Sequence, residues 1–158
     1  MQLNPPEPLT ASHRRDDFQC GEVVLDDWLK RRALANQLSG ASRTFVVADQ
    51  TGRVCGYYAM AAGAVLHQVA TTSVRRNMPD PVMVLARLAV DHQAQGVKLG
   101  ASLLRDAVHR ATAVSRDVGV RALLVHALHD QAKQFYEYYG FQASAVHPMT
   151  LMLRIPPG

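Results

Sequence analysis

The stretch from Gln95 to Gly100, Q-G-V-K-L-G, has the composition of a loop that holds an anion. It follows a nearly continuous apolar run, Val82 to Val90, which is typical of a strand buried on both faces. It precedes a segment from Leu99 to Ala111 in which leucine or alanine recurs every four residues, a pattern that predicts a helix. A helix start after a glycine-bearing loop offers free backbone N–H groups and a positive dipole end to an anion. The stretch therefore predicts a phosphate site, although glycines at this spacing also occur in plain turns.

Two common phosphate loops do not fit. The Walker pattern, G-x-x-x-x-G-K-[ST], needs a longer spacing than that between Gly96 and Gly100, and the dinucleotide pattern, G-x-G-x-x-G, needs a glycine where Lys98 stands. The stretch resembles instead the acetyl-CoA pyrophosphate loop of GNAT N-acetyltransferases, [QR]-x-x-G-x-[GA], between the fourth strand and third helix of that family. Gln95, Gly100 and the spacing match, and Lys98 replaces the middle glycine.

The resemblance implies that acetyl-CoA is the co-substrate and that this strand, loop and helix bind it. A backbone N–H near Leu88 to Val90 is expected to receive the oxyanion. Lys98 is expected in the first helical turn, where a Cβ is sterically allowed, with an ammonium that can pair with a CoA phosphate. The implied cofactor contacts in this part of the chain are Leu88, Ala89, Val90, Gln95, Gly96, Val97, Lys98, Leu99, Gly100, Ala101 and Ser102.

A second stretch, F-Y-E-Y-Y-G-F at residues 135–141, is similar to the F-Y-x-x-x-G-F segment of GNAT enzymes. In that family the tyrosine lies beside the CoA sulfur, which implies a catalytic role for Tyr136 and a cofactor contact for Phe135. Tyr138 and Tyr139 are expected to pack a short helix on the sheet. The reference pKa is about 10 for tyrosine and about 8.5 for a thiol, so full proton transfer to a free thiolate is uphill by about 2 kcal/mol. A hydrogen bond that strengthens as the charge develops is the favoured description.

No carboxylate has the setting of a general base, and Asp91 is expected to cap the loop. His126 is a candidate base, although a packed or structural histidine is the more common case. His126 and His129 lie three residues apart, but no further ligand pattern accompanies them, so no metal site is predicted.

Seven fragments in order are similar to one branch of the family, the GNAT toxins of type II toxin–antitoxin modules. That branch acetylates the α-amine of aminoacyl-tRNA and stops translation, and its partner is a ribbon–helix–helix antitoxin. A homodimer remains open. The fragments span residues 18–29, 42–46, 56–58, 75–79, 82–91, 103–107 and 148–153.

The predicted substrate, the α-amine of aminoacyl-tRNA, is consistent with the absence of a recognisable general base in the sequence. A free α-amine has a pKa of about 7.7–8.0, and an ester in place of the carboxylate lowers it further. A large fraction of this amine is then neutral near pH 7 without deprotonation by the enzyme. A lysine side chain, with a pKa of about 10.4, would need a base to deprotonate it.

Basic residues occur in three groups, and a solvated charged face is the usual explanation of each. Given the family resemblance, Arg75 and Arg76 are the expected RNA contacts, followed by Lys30 and Arg31. The net charge of +4 permits an anionic partner.

Length and pattern predict one domain, residues 1–158, of the α/β (α+β) class with a mixed central sheet and helices on both faces, and the resemblance implies that this is the GNAT fold. No apolar run reaches the roughly 18 residues of a membrane span, and two lone cysteines without a signal peptide favour the cytoplasm. A long loop is expected from His67 to Pro81. The predicted strands are 9–11, 43–49, 54–66, 82–90, 120–126 and 150–155. The predicted helices are residues 22–38, a segment with Lys98 in its first turn that runs through Ala111, and a short segment that starts at His129 or Asp130 and ends at Tyr138.

Two rival functions remain at this stage. A GNAT enzyme of the same fold could acetylate a small amine or a protein. Alternatively, the chain could hold CoA or its antitoxin without turnover, a reading that Lys98 favours and Tyr136 disfavours.

Overall fold

The computed structural model describes residues 2–65 and 80–156, which contain both strands and helices. A short 3₁₀ turn, His92–Ala94, follows the longest apolar run. In chain order the strands are β1 (Glu7–Pro8), β2 (Arg43–Ala48), β3 (Val54–Val65), β4 (Asp80–Val90), β5 (Ala122–His126), β6 (Gln142–Ala143) and β7 (Thr150–Arg154), and the helices are α1 (Val23–Arg31), α2 (Ala33–Ser39), α3 (Leu99–Val114) and α4 (Asp130–Tyr138).

The strands of this described part form one mixed sheet in the order β1-β2-β3-β4-β5-β7-β6. β4 and β5 run parallel, with Val82 opposite Ala122 and Leu85 opposite Val125. The pairs β1–β2, β2–β3, β5–β7 and β6–β7 are antiparallel. The predicted mixed α/β fold is confirmed.

The chain forms two compact units, and the first comprises residues 1–61 and 87–107. Here α1 is held to the sheet by its apolar side and by a hydrogen bond that the Tyr57 hydroxyl donates to the Leu25 carbonyl, 2.6 Å long. Leu25, Trp28 and Leu34 pack against the core as half-buried side chains. The buried core residues are Leu9, Phe18, Leu29, Ala33, Val46, Val54, Tyr57 and Ala89.

The second unit comprises residues 62–86 and 108–158. Its central strand, β5, is buried from Ala122 to Val125 and becomes exposed only at His126. Val82, Ala122, Leu124 and Met152 form an apolar cluster in this unit. Successive side chains of β5 point to opposite faces of the sheet and all four from Ala122 to Val125 are buried, so both faces are covered, which explains the run of apolar residues.

Apart from shifts of a few residues at element ends, three elements differ from the predictions. The predicted helix from Glu22 to Leu38 is two helices, because Arg32 leaves helical geometry with φ −121°. The four-residue apolar repeat continues across this break, since Leu29 and Ala33 are both fully buried, so the pattern did not reveal it. The first strand is β1 at residues 7–8 rather than 9–11, and the two-residue strand β6 was not predicted. Most of the expected loop from His67 to Pro81 lies outside the described residues, while Pro81 belongs to β4.

Within the described residues, no helix is both long enough and apolar enough to cross a membrane.

Candidate active site

The buried carboxylate of Asp91 fixes the chain at the point where β4 ends and the glycine-bearing loop begins. Asp91 is 1% exposed. Its oxygens accept hydrogen bonds from the backbone N–H of Gln19 at 2.8 Å and from that of Gln93 at 2.9 Å. The Arg53 guanidinium forms an ion pair with the same carboxylate at 3.1 Å. The prediction that Asp91 caps the loop is therefore confirmed, and the carboxylate also ties the loop to two distant segments.

The protonation of this network follows from its contacts. Burial alone would raise the pKa of Asp91, but the hydrogen bonds from Gln19 and Gln93 and the Arg53 guanidinium outweigh it and hold the pKa below its usual range. Burial would likewise lower the pKa of Arg53, but its bonds to Asp91 and Asp17 raise it instead. Asp91 is thus a carboxylate at neutral pH, with its acceptor sites used inside the protein, which suits a structural anchor better than a general base.

The side chain of Gln95 is also used inside the protein. Its Nε2 donates to the Val90 carbonyl at 3.1 Å and to the Cys20 carbonyl at 3.3 Å. The Gln95 side chain therefore joins the loop to the end of β4 and to the segment before α1. Gly96, the next residue, has φ +92°, a left-handed conformation that side-chain-bearing residues rarely adopt.

Lys98 does not lie in the first turn of α3, contrary to the prediction. It has φ +59°, the only positive φ among the described residues other than glycine, and α3 begins after it at Leu99. The Lys98 carbonyl accepts from the Ser102 N–H at 3.2 Å, so Lys98 is the residue that precedes the helix. A glycine at this position of the family loop has a direct physical reason, because left-handed backbone costs an L-residue roughly 1–2 kcal/mol. The Lys98 side chain is exposed.

The start of α3 has the backbone of an anion site. The N–H groups of Leu99, Gly100 and Ala101 precede the first intrahelical donor, Ser102, and have no acceptor within the helix. The first turn lies close against β3, because a Cβ placed on Gly56 would come within 3.0 Å of Leu99 and Leu103. The loop glycines and Gly56 together set where these N–H groups point. Of the other predicted cofactor contacts here, Leu88 and Val90 are half-buried, Ala89 is buried, Ala101 is half-buried, and Val97 and Ser102 are exposed.

Tyr136 differs from the other buried tyrosines in its hydroxyl group. Tyr57 and Tyr58 are fully buried, and their hydroxyls donate to the Leu25 carbonyl and to the Asp106 carboxylate. Tyr136 is 8% exposed as a whole, and its hydroxyl makes no hydrogen bond with residues 2–65 and 80–156, where it is also not among the fully enclosed unpaired atoms. Burial raises the pKa of Tyr136 to about 12. The side chain is therefore protonated at neutral pH and has a donor that the protein does not use.

The aromatic neighbours of Tyr136 fix its ring. Phe135 makes an edge-to-face contact at 5.3 Å between ring centroids, and Phe141 packs at 5.4 Å. The expectation that Tyr138 and Tyr139 pack on the sheet is wrong, because they are 81% and 43% exposed. The helix α4 is short and presents a single buried position in this motif, so the two later tyrosines fall on its solvent side.

The histidines of this region have structural contacts. His129 caps α4 through its Nδ1, which accepts from the Ala132 N–H at 3.1 Å. His126 lies at the exposed end of β5, and its Nδ1 is 3.0 Å from the Thr150 hydroxyl. No group of three metal-ligating side chains occurs in the described part of the chain.

The predicted RNA contacts are resolved only in part. Lys30 and Arg31 lie in the last turn of α1, where Lys30 is half-buried and Arg31 is exposed. Arg75 and Arg76 lie outside the described residues.

Sequence reasoning did not find the contacts of Arg53 and Gln19 with Asp91. Both partners are distant along the chain, and neither occurs in a recognisable local pattern. The only available signal was a carboxylate directly after a fully apolar strand, which indicates a buried charge that needs partners.

The acetyltransferase (GNAT) domain family matches residues 11–149. The chain belongs to this family. It is 53% identical, over 94% of its length and 90% of the relative's, to the tRNA-acetylating toxin of Mycobacterium tuberculosis strain ATCC 25618 / H37Rv.

Solved structures of GNAT toxins have the same fold. The structure of AtaT complexed with acetyl-methionyl-tRNAfMet has a TM-score of 0.89 at 25% identity and covers 97% of this chain and 95% of its own. A tyrosine-to-phenylalanine mutant of AtaT bound to the C-terminus of the antitoxin AtaR and acetyl-CoA has a TM-score of 0.83 at 26% identity. That match covers 98% of this chain and 94% of the mutant toxin. The resemblance inferred from the loop and the tyrosine motif is confirmed at the level of the family.

Proposed function

We propose that this GNAT protein transfers the acetyl group of acetyl-CoA to the α-amino group of aminoacyl-tRNA and acts as the translation-blocking toxin of a type II toxin–antitoxin pair. The relative that is 53% identical is named a tRNA-acetylating toxin, and AtaT has been solved with an acetylated aminoacyl-tRNA. The proposal treats residues 1–158 as one acetyltransferase domain in the cytoplasm, where charged tRNA occurs.

One observation carries the enzymatic part of this proposal. Tyr136 is a buried tyrosine whose hydroxyl has no partner in residues 2–65 and 80–156, whereas the hydroxyls of Tyr57 and Tyr58 do. The ring is enclosed, but the hydroxyl oxygen is not among the enclosed unpaired atoms of the described residues, so it is open to an incoming ligand. A donor on a ring that is already held in place can strengthen its hydrogen bond as negative charge develops on a reacting group. We assign the thiolate that leaves acetyl-CoA as that group.

Tyr136 acts in this proposal as a hydrogen-bond donor rather than as a full acid. With its pKa near 12, it lies roughly 3.5 units above a free thiol near 8.5. Proton transfer from Tyr136 to the thiolate would cost about 5 kcal/mol because of this difference in pKa. A hydrogen bond to the developing negative charge does not require proton transfer, so this cost does not apply to it. The thiolate acquires its proton late or from water.

The loop acts through its backbone. The free N–H groups at Leu99, Gly100 and Ala101, at the positive end of α3, bind the pyrophosphate of acetyl-CoA. The side chains of Asp91 and Gln95 fix the loop through their hydrogen bonds to the backbone of Gln19 and Val90. A backbone N–H between Leu88 and Val90 stabilises the negative charge that develops on the acetyl oxygen. Phe135 contributes an apolar contact beside the tyrosine.

The neutral α-amine of aminoacyl-tRNA attacks the thioester carbon and forms the C–N bond, and the C–S bond breaks to release CoA as a thiolate. The attached nitrogen then gives its extra proton to water, which balances the proton that the thiolate takes up. Because the pKa of the α-amine of aminoacyl-tRNA lies below that of a free α-amine, near 7.7–8.0, no protein base is required. The described residues agree with this, since Asp91 is occupied by Arg53, and His126 is bonded to Thr150.

The deciding experiment measures the transfer of label from acetyl-CoA to a pool of charged tRNAs, with free amino acids, polyamines and proteins as competing acceptors. Acetyl-aminoacyl-tRNA as the main product supports the proposal. Labelling of small amines or proteins alone would favour the first rival, and binding of acetyl-CoA without any product would favour the binding module.

The RNA contacts have a separate test. The double substitution Arg75→Glu and Arg76→Glu should weaken the binding of charged tRNA and leave acetyl-CoA affinity unchanged. The wild-type RNA affinity should fall with salt, because phosphate contacts release counterions. An unchanged tRNA affinity in the double variant would show that Arg75 and Arg76 do not contact the RNA. Lys30 and Arg31 on α1 would then be substituted next.

The antitoxin belongs to the same proposal. AtaT has been solved bound to AtaR, and we expect this chain to bind a ribbon–helix–helix antitoxin in the same way. Co-expression of this antitoxin should restore the growth of cells that express the chain. Separately, measurement of the molar mass of the purified chain distinguishes a homodimer from a monomer.

A further inference from the structure

Arg87 is a cation held at the apolar side of α1 without a charged partner. Its guanidinium carbon lies 4.5 Å from the centre of the Trp28 ring. Within the described residues Arg87 forms no ion pair, and its buried Nε makes no hydrogen bond. The residue as a whole is half-buried, and its terminal nitrogens, unlike Nε, are not among the enclosed unpaired atoms of the described residues. A cation–π contact offsets part of the charge but uses none of the N–H donors of the guanidinium.

The strand places Arg87 on the α1 side of the sheet. Side chains alternate along a strand, so Arg87 and Ala89 share one face of β4. Ala89 belongs to the core that contains Leu29 and Ala33 of the two short helices. The guanidinium therefore lies with α1, whereas the loop proposed for the pyrophosphate leads into α3.

The same surface of α1 carries a second cation. Arg31 lies three residues after Trp28, and residues three apart are neighbours on a helix surface. Arg31 is exposed in the last turn of this helix. α1 also carries Asp26 and Asp27, so its positive charge is confined to its last turn, and Arg87 adds a cation on the strand that is proposed to hold the reacting acetyl group.

We propose that Arg87 binds a phosphate oxygen at the acceptor end of the charged tRNA, a role that rests on the proposed function. A guanidinium with unused donors in a fixed plane is suited to phosphate, because it forms two parallel hydrogen bonds. The phosphates of acetyl-CoA have the same chemistry and are the alternative source that the experiment must distinguish.

The test compares Arg87→Met with a matched control, Arg116→Met, an exposed arginine beyond the end of α3. Methionine retains an apolar stem against Trp28 and removes the charge. The affinity for charged tRNA should fall about tenfold to a hundredfold, as for a lost hydrogen bond to a charged group. The slope of log affinity against log salt should decrease by roughly one phosphate contact, and acetyl-CoA affinity should stay unchanged. Arg116→Met should change none of these values.

A second measurement uses the unmodified protein and does not depend on the folding of a variant. An arginine-selective dicarbonyl reagent, read out by mass spectrometry, should modify Arg87 in the free chain. Charged tRNA should protect Arg87, and acetyl-CoA should not. Protection by acetyl-CoA alone would assign Arg87 to the cofactor and overturn the proposal, as would an unchanged tRNA affinity in Arg87→Met.

Failure of the proposed function is recognised separately, because tRNA binding is measured without turnover. If charged tRNA binds through Arg87 but is never acetylated, transfer is excluded while the contact stands. If acetylation proceeds and Arg87→Met binds charged tRNA as the wild type does, only the Arg87 assignment is wrong.

Discussion

The loop from Asp91 to Ser102 and the helix α4 both match motifs of one family, but they use their side chains in opposite ways. In the loop, the polar side chains of Asp91 and Gln95 bond to the protein itself. In α4, Tyr136 is packed on its ring by Phe135 and Phe141, and its hydroxyl has no partner in the described part of the chain. The loop therefore offers its backbone to a ligand, and the helix offers a side-chain donor.

This difference determines how substitutions should act. A change to Asp91 or Gln95 acts through the geometry of the backbone that these side chains hold, so stability and ligand affinity should fall together. A change to the Tyr136 hydroxyl removes a group that contributes nothing to the fold, so turnover should change alone. The predictions that follow test this contrast.

The largest effect is expected for Tyr136→Phe. The hydroxyl has no internal partner, so unfolding free energy and acetyl-CoA affinity should change little. If the hydroxyl stabilises the leaving thiolate, turnover should fall by about 10²–10⁴-fold. Cells expressing the variant should grow where the wild-type chain arrests them. Labelled transfer to charged tRNA, calorimetry and growth measure the three effects.

Tyr57→Phe is the matched control. It removes the bond to the Leu25 carbonyl and should lower the unfolding free energy by about 1 kcal/mol without a selective loss of turnover. Wild-type transfer by Tyr136→Phe would mean that this tyrosine only packs. Loss of transfer with continued growth arrest would mean that toxicity comes from binding.

The next largest effect is expected for Asp91→Asn. The substitution leaves Arg53 with Asp17 alone and should lower the unfolding free energy at pH 7 by roughly 3 kcal/mol, the lower end for a broken buried ion pair. Acetyl-CoA affinity should fall as well, because the loop loses its anchor. Asp16→Asn, at an exposed position, should change neither value.

The pH dependence of this difference has a definite sign. The pKa of Asp91 is lower in the folded chain than in the unfolded chain, where it is about 3.9, so in acid the unfolded state binds more protons. The stability that Asp91 contributes is present above about pH 4 and is lost as the pH falls through the folded pKa. Denaturation of wild type and Asp91→Asn at pH 7 and below pH 4 should therefore show a gap that narrows in acid. If the difference in unfolding free energy between wild type and Asp91→Asn did not change with pH, the charge of the carboxylate would not be the cause of the stabilisation.

A smaller effect is expected for Gly100→Asp, which adds a negative charge beside the free N–H groups of α3. Repulsion of roughly 1–2 kcal/mol near a protein surface should weaken acetyl-CoA binding about tenfold. Gly100→Asn, of similar size and uncharged, separates charge from bulk. Calorimetry with unchanged affinity in the aspartate variant would place the pyrophosphate elsewhere.

The sequence predicted most of this fold because the deciding signals are local. The apolar run before Asp91 and the repeat after Leu99 place β4 and α3 within a few residues of their observed positions. The break at Arg32 escaped prediction because Leu29 and Ala33 remain in phase across it. The partners of Asp91 escaped because they are long-range contacts, and the exposure of Tyr138 and Tyr139 because aromatic composition does not show which side of a short helix faces the sheet. The motif match also could not show that the middle position of the loop is left-handed.

That left-handed position gives the smallest expected effect, Lys98→Gly. Glycine removes the cost of φ +59°, roughly 1–2 kcal/mol, but adds backbone freedom to the unfolded chain worth about 0.5–1 kcal/mol, so a net stabilisation of about 0.5–1 kcal/mol is expected. Because the exposed ammonium is proposed to pair with a CoA phosphate, acetyl-CoA affinity should fall by about fivefold at most. Lys98→Ala separates the two effects, since alanine loses the ammonium and retains the strain. It should bind acetyl-CoA as weakly as the glycine variant without gaining stability. Equal unfolding free energies for the glycine and alanine variants would show that the backbone at Lys98 is not strained.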